Sequence, residues 1–176
     1  MTGAIGDHTW ELDQVHSHVG FAVMHMGVSS FTGSFSGVEA SLVERDGKLS
    51  LAGSVHPRDI VVKHEKLHGH LQGADFFDAD DYPDITFAST SVSVEDGVID
   101  AAGDLTMKGV TGPVTVRGRI SEPTEDLAGR TKLGLSLAAE IDRTAFGVDW
   151  NAPLPGGGMV LADQVSVTAE LQFVAS

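Results

Sequence analysis

The stretch Gly103 to Val116 reads Gly-Asp-Leu-Thr-Met-Lys-Gly-Val-Thr-Gly-Pro-Val-Thr-Val, and its pattern indicates a β-sheet protein. Leu105 and Met107 alternate with polar residues, and the arm after the turn alternates in the same way. A period of two is typical of strands with one buried face. The segment from Gly109 to Pro113 is predicted to reverse the chain, because glycine and proline supply the backbone angles of turns. We therefore expect a β-hairpin whose apolar face is covered by further structure, since a lone hairpin is marginal in water.

The same alternation runs through most of the chain on either side of this hairpin. The predicted strands are Trp10 to Val23 with a bend near His16 and Ser17, Phe31 to Val43, Leu49 to His56, Ile85 to Val94, Val98 to Met107, Val114 to Ser121, Leu133 to Ile141 and Val165 to Phe173. Only from Ile60 to Gln72 do apolar residues take helical spacing, which predicts one short helix at about residues 60–72. So many short-linked strands either pack as two sheets or close into a barrel, and glycines inside the strands favour closure. The prediction is an all-β fold, an eight-stranded antiparallel β-barrel with one capping helix, formed by residues 1–176 as a single domain.

Composition limits the function classes that need to be considered. The chain has 176 residues and no cysteine, which excludes disulfides and thiolate metal sites. Its 25 acidic and 11 basic residues give a formal charge of -14, so binding to nucleic acid or to anionic membrane surfaces is not expected. No segment has the roughly 20 apolar residues of a membrane span, and no signal peptide is recognised at the N-terminus, so a cytoplasmic location is expected. A homodimer is left open.

Several motifs occur in a fixed order over nearly the whole chain, and together they resemble the YceI-like polyisoprenoid-binding proteins. They are Asp13-Gln14-Val15-His16-Ser17 with Phe21 and His25; His70-Leu71 with Asp75-Phe76-Phe77-Asp78, Tyr82-Pro83 and Phe87; Gly103-Asp104-Leu105-Thr106 with Gly109-Val110-Thr111 and Pro113-Val114; and Arg143 with Phe146-Gly147. The resemblance implies a lipocalin-like barrel that holds a long isoprenoid or fatty chain in its tunnel. Two features depart from the family: many relatives carry a signal peptide, and in the helix only Glu65, His70 and Leu71 match the family pattern.

The function implied is non-catalytic binding of an amphipathic polyisoprenoid or other long-chain lipid for transport or storage. No cofactor is expected, and an isoprenoid quinone or polyprenyl lipid would be the ligand. Inward alternation selects as tunnel-lining candidates Phe21, Val23, Phe35, Phe87, Leu105, Met107, Val116, Leu135 and Phe173. Aromatic residues in loops that should border the opening are Phe76, Phe77, Phe146 and Trp150, while His25 is placed at the mouth, as a structural residue or in contact with a head group. A surface charge such as Lys108 is expected to contribute little.

The alternative function is that of a metal-binding protein or zinc hydrolase. His64-Glu65-Lys66-Leu67-His68 satisfies H-E-x-x-H, in which two histidines one helical turn apart bind zinc and the glutamate activates water. Catalytic zinc requires a third protein ligand, and the extended motif fails because Leu71 and Ala74 stand where its glycine and its third histidine should be. For weak metal binding, His70 or Asp75 could be extra ligands. Gly69 follows the second histidine and weakens the helix on which the geometry depends. The exposed face of a polar helix is the competing interpretation, and it is favoured.

A second catalytic pattern is formed by Asp13, His16 and Ser17, the residue types of a nucleophilic triad. These residues are close in sequence at a bend, and their side chains have no reason to converge on one reacting atom. We expect His16 and Ser17 to satisfy backbone groups at the kink instead.

Overall fold

The computed structural model describes Ile5 and residues 8–176, in which strands dominate. The strands are β1 (Trp10–Leu12), β2 (His18–His25), β3 (Ser29–Phe35), β4 (Glu39–Arg45), β5 (Lys48–Val55), β6 (Ile60–Val61), β7 (Ile85–Glu95), β8 (Val98–Met107), β9 (Val110–Ile120), β10 (Thr124–Glu125), β11 (Thr131–Asp142) and β12 (Leu161–Ala175). The helix is α1 (Glu65–Gln72), and 3-10 turns span Gln14–His16, Pro57–Asp59 and Arg143–Phe146. None of the helices in this part of the chain is long and apolar enough to cross a membrane.

The sheet closes on itself through the pairing of β11 with β12, and two of its strands are each broken into two segments. β1 and β2 both pair with the same edge of β12, and β3 and β4 together form the next strand of the wall. β5, β7, β8, β9 and β11 follow in antiparallel order, and β11 pairs with the other edge of β12. The result is a closed antiparallel barrel of eight strands with one short helix, as predicted. Residues 1–4, 6 and 7 lie outside the described range. The prediction that residues 1–176 form a single domain stays a prediction.

The central hairpin reverses at Lys108 and Gly109, both of which have positive φ, 51° and 76°. Such a two-residue turn matches the twist of paired strands, and glycine adopts the second position without strain. The predicted turn over Gly109 to Pro113 was therefore too long. Gly112 and Pro113 lie within β9, opposite Leu105 and Asp104 of β8.

The helix is shorter than the predicted span of residues 60–72. Ile60 pairs with Phe35 in β3, and its side chain is buried there, so its apolar character reflects a sheet contact. α1 begins only at Glu65, because the backbone of His64 is extended and its ring accepts a hydrogen bond from the Lys66 amide, as an N-cap does.

Residues 56–84, here called the lid, leave the barrel between β5 and β7 and lie over one end of it. The two ends of the lid meet where His56 Nδ1 lies 2.7 Å from Asp84 Oδ1. Burial alone would lower the pKa of His56, but hydrogen bonds to Asp84 and Glu39 outweigh burial and raise this pKa. The lid is also held by the neighbouring hairpin, where Lys108 Nζ donates to the carbonyls of Ala74 at 2.6 Å and Gly147 at 3.1 Å. Lys108 was expected to be a surface charge whose removal changes little, and these two hydrogen bonds argue against that expectation.

Candidate functional site

The barrel encloses a cavity of about 470 Å³ beneath the lid. Small-molecule sites in proteins typically measure roughly 300–1,000 Å³ and are lined mainly by apolar side chains. The walls here are almost wholly apolar, and their few polar side chains include His25, His70 and Arg143. The cavity can therefore hold an apolar ligand with a small polar group.

Only the half of the barrel nearest the lid is hollow. At the other end, where β1 begins and β12 ends, the interior is filled by fully buried side chains such as Phe173, Leu42 and Ile99. In the hollow half, inward residues such as Val116 and Val167 remain partly exposed although they point into the barrel. Close packing would bury them completely, so their exposure marks unfilled space.

Glycines beneath two aromatic rings shape the cavity wall. Phe21 pairs across the sheet with Gly33, and a Cβ on that glycine would lie 2.5 Å from the Phe21 ring. Phe87 likewise lies over Gly103, where a Cβ would be 2.7 Å from its ring. The two rings can lie flat against the wall because these glycines have no side chain.

All but three of the predicted lining residues border the cavity. Those that do are Phe21, Val23, His25, Phe35, Phe76, Phe77, Phe87, Leu105, Met107, Val116 and Trp150. Leu135, Phe146 and Phe173 do not, since they are buried in the packed core with 1%, 4% and 0% exposure. Whether any of these residues contacts a ligand stays a prediction.

Sequence reasoning missed much of the wall that β11 and β12 contribute. Leu137, Val167 and Leu171 line the cavity, whereas Phe173, which was chosen from the same alternation, does not. The period of two identifies inward residues but not how deep along the strand the space extends. Leu171 is the last lining residue of β12, and it pairs with the buried Leu135 at the floor of the cavity.

Three rings lie together where the lid meets the loop after β11. The ring centroids of His70 and Phe76 are 4.9 Å apart, and those of His70 and Trp150 are 5.3 Å apart, both with edge-to-face geometry. His70 Nε2 also lies 3.0 Å from a carboxylate oxygen of Asp75. The cluster borders the cavity and joins the lid to the barrel by apolar contact.

The structure gives the H-E-x-x-H alternative no complete ligand set. His64 lies outside the helix and caps it, while His70 pairs with Asp75. Among the described residues, no group of three or more His, Cys, Asp or Glu side chains is placed to hold a metal ion.

Asp13, His16 and Ser17 lie at the filled end of the barrel, away from the cavity. His16 Nδ1 lies 2.9 Å from an Asp13 carboxylate oxygen, and this hydrogen bond is the main reason that the pKa of Asp13 is lowered. Ser17 Oγ accepts a hydrogen bond from the backbone N–H of Gln172 at 3.0 Å. The expectation of backbone contacts was correct for Ser17, while the His16 ring bonds a carboxylate instead. The group fastens the break between β1 and β2 to β12.

Comparison with known proteins agrees with this architecture. A UPF0312 protein of Staphylococcus aureus strain USA300 is 32% identical over 169 residues, covering 93% of this chain and 96% of the relative. The crystal structure of BcnA from Burkholderia cenocepacia superposes with a TM-score of 0.77 at 23% identity, over 92% of this chain and 99% of that one. A polyisoprenoid binding domain from Saccharophagus degradans, implicated in plant cell wall breakdown, gives 0.72 at 14% identity, over 96% and 99%. The model of the YceI-like domain matches residues 10–173, and the chain therefore belongs to the YceI-like family.

Proposed function

We propose that this protein binds one long-chain lipid, of the polyisoprenoid or fatty class, inside the barrel. The observation that carries the proposal is the apolar cavity whose inward side chains are only partly buried. Each Å² of apolar ligand surface removed from water contributes roughly 25 cal/mol, so an apolar chain gains affinity along the whole wall. The neighbour from Saccharophagus degradans, a polyisoprenoid binding domain, supports the same ligand class.

The depth of the cavity limits the length of the buried chain. Its wall includes β12 residues from Leu161 to Leu171, with a register shift before Val165. The regular run from Val165 to Leu171, six residues at ~3.3 Å each on strands tilted by roughly 40° to the barrel axis, alone corresponds to about 15 Å of depth. This is about one leaflet of the ~30 Å hydrocarbon core of a bilayer. A single acyl chain, or an isoprenoid segment of similar length, would fill the cavity, and a longer tail would have to fold or protrude.

Binding without catalysis, in transport or storage, completes the proposal. Binding removes an insoluble chain from water, and this step requires no covalent bond to be made or broken. A cytoplasmic location and a homodimer stay predictions, to be checked by cell fractionation and by light scattering of the purified protein.

The direct test is native mass spectrometry of protein expressed and purified without detergent, followed by extraction of the bound material. We expect a mass increment equal to one lipid, lost on organic extraction and restored by adding hexadecanoic acid or menaquinone-4. Ligand binding should also raise the melting temperature, because a ligand that binds only the folded state stabilises it. Protein that carries no lipid and responds to neither compound would refute the proposal.

A further inference from the structure

Two stretches of the chain carry no Asp, Glu, Lys or Arg, and the fold brings their ends together. They are residues 14–38 and 150–162, the two longest such stretches in a chain of which 20% is charged. His25, at the end of β2, pairs with Leu161 at the start of β12, and the Met26 N–H donates to the Val160 carbonyl at 2.7 Å. Residues 24–30 and 151–160 therefore form one uncharged surface, here called the tip.

The tip presents apolar side chains to solvent. They are Met24, Met26, Val28 and Met159, of which Val28 is the most exposed at 81%. The turn between β2 and β3 is formed by Met26 and Gly27, with φ of 56° and 67°. Positive φ is uncommon for residues other than glycine and is adopted most readily by Asn and Asp. In the described part of the chain, the other such residues are aspartates and a lysine, so the turn geometry does not explain an apolar side chain at Met26.

The tip lies at the lid end of the barrel and continues into the cavity wall. Its neighbours His25, Val160 and Leu161 all line the cavity. On the other side of the tip, β3 pairs with β6 only at Ser34 and Phe35. Within residues 8–176, no strand other than β2 pairs with β3 from Ser29 to Gly33. The barrel wall thus has an edge without a neighbouring strand directly beside the tip.

We propose that the tip is a docking surface for a bilayer of zwitterionic lipids, into which its exposed apolar side chains insert. This inference rests on the proposed function, since docking would bring the cavity to the source of its ligand. Insertion removes apolar surface from water, and no charged side chain of the tip has to enter the apolar region with it. The tip also has no Lys or Arg to attract anionic lipids, and the formal charge of -14 repels them. A fluid bilayer adapts to a narrow projecting turn, whereas a protein partner would need a matching recess.

The test uses two valines of similar exposure at opposite ends of the barrel. Val28 is 81% exposed in the tip, and Val15 is 86% exposed in the 3-10 turn at the filled end. Delipidated full-length protein is floated with phosphatidylcholine vesicles. We expect Val28→Asp to bind the vesicles at least about tenfold more weakly than wild type, a loss of about 1.4 kcal/mol, and Val15→Asp to bind as wild type does. Wild-type protein that does not float, or an equal loss in both variants, would overturn the proposal.

A second pair of variants acts in the opposite direction. Tryptophan favours the membrane interface, so Val28→Trp should bind the vesicles several-fold more tightly, with no change in Val15→Trp. Replacing part of the phosphatidylcholine by phosphatidylglycerol should weaken wild-type binding at low salt. Tighter binding to these anionic vesicles would contradict a docking surface without cations.

A protein partner and a failure of the proposed function give different results. Light scattering without vesicles measures self-association, and a wild-type dimer that Val28→Asp dissociates would identify the tip as an interface between copies and overturn the proposal. Ligand binding is measured separately, by displacing diphenylhexatriene, an apolar fluorophore, with hexadecanoate in the absence of vesicles. Val28→Asp should bind hexadecanoate with wild-type affinity, and a parallel loss would make the tip part of the ligand site instead. If hexadecanoate and menaquinone-4 both fail to displace the probe, the proposed function fails, while flotation still decides whether the tip docks.

Discussion

Filling the cavity should abolish ligand binding at almost no cost in stability, and the barrel offers a matched pair of alanines for this test. Ala139 on β11 lines the cavity and is partly exposed. Ala101 on β8 is 0% exposed and does not border the cavity, although it pairs with the lining residue Val116. The same substitution, alanine to tryptophan, therefore adds the same ring to open space in one case and to packed core in the other.

The two variants are expected to differ in unfolding free energy by several kcal/mol. A tryptophan side chain that fits buries roughly 150–250 Å², which at ~25 cal/mol per Å² offsets the cost of ordering it. We expect the unfolding free energy of Ala139→Trp to lie within about 1 kcal/mol of wild type. Ala101→Trp has no space and should lose about 3 kcal/mol or more, at the upper end of overpacking. In a chain of this size that loss lowers the melting temperature by roughly 6–12 °C.

The assay combines urea unfolding of the two variants with displacement of diphenylhexatriene by hexadecanoate. Ala139→Trp should be folded and stable but bind at least about a hundredfold more weakly than wild type, a loss of about 2.7 kcal/mol. If Ala139→Trp is destabilised as much as Ala101→Trp, the space is not open in solution. If it is stable and still binds with wild-type affinity, the ligand lies elsewhere.

Three further outcomes follow from the floor, the hairpin and the lid. Leu171→Ala and Leu133→Ala should each lower the unfolding free energy by about 2–5 kcal/mol. Only Leu171→Ala deepens the cavity, so only this variant should shift its binding preference from hexadecanoate to docosanoate. Identical chain-length preferences in the two variants would contradict the position of the floor. Lys108→Asn keeps a residue suited to positive φ but removes the hydrogen bonds to Ala74 of the lid and to Gly147. We expect the unfolding free energy to fall by about 1–3 kcal/mol and the ligand to be released faster. Neither change should occur in Lys48→Asn, a control at an exposed position. Because the pKa of His56 is raised in the folded protein, the contribution of His56 to stability is complete below its ordinary pKa of 6.5 and is lost as the pH rises through its folded-state pKa. Ligand release should therefore accelerate toward pH 9 in the wild-type protein but not in His56→Gln.

The fold followed from local patterns to a considerable extent. Strand alternation and the short links between strands predicted the antiparallel barrel, and the break near His16 and Ser17 was predicted as a bend. Errors arose where a local signal had two meanings. Ile60 looked helical but pairs with β3, and Pro113 looked like a turn residue but lies in a strand. In both cases contacts with distant residues decided the local structure.

The candidate site was predicted only as a face, the inward side of the strands. Alternation predicted which residues point into the barrel, because it is a property of each strand alone. The tertiary structure decided where along those strands the interior is empty, why Phe173 is core while Val167 borders the cavity, and which carbonyls hold Arg143. Whether an inward side chain meets a partner depends on the reach of side chains from strands far apart in sequence. That distance across the barrel is fixed only when the sheet closes.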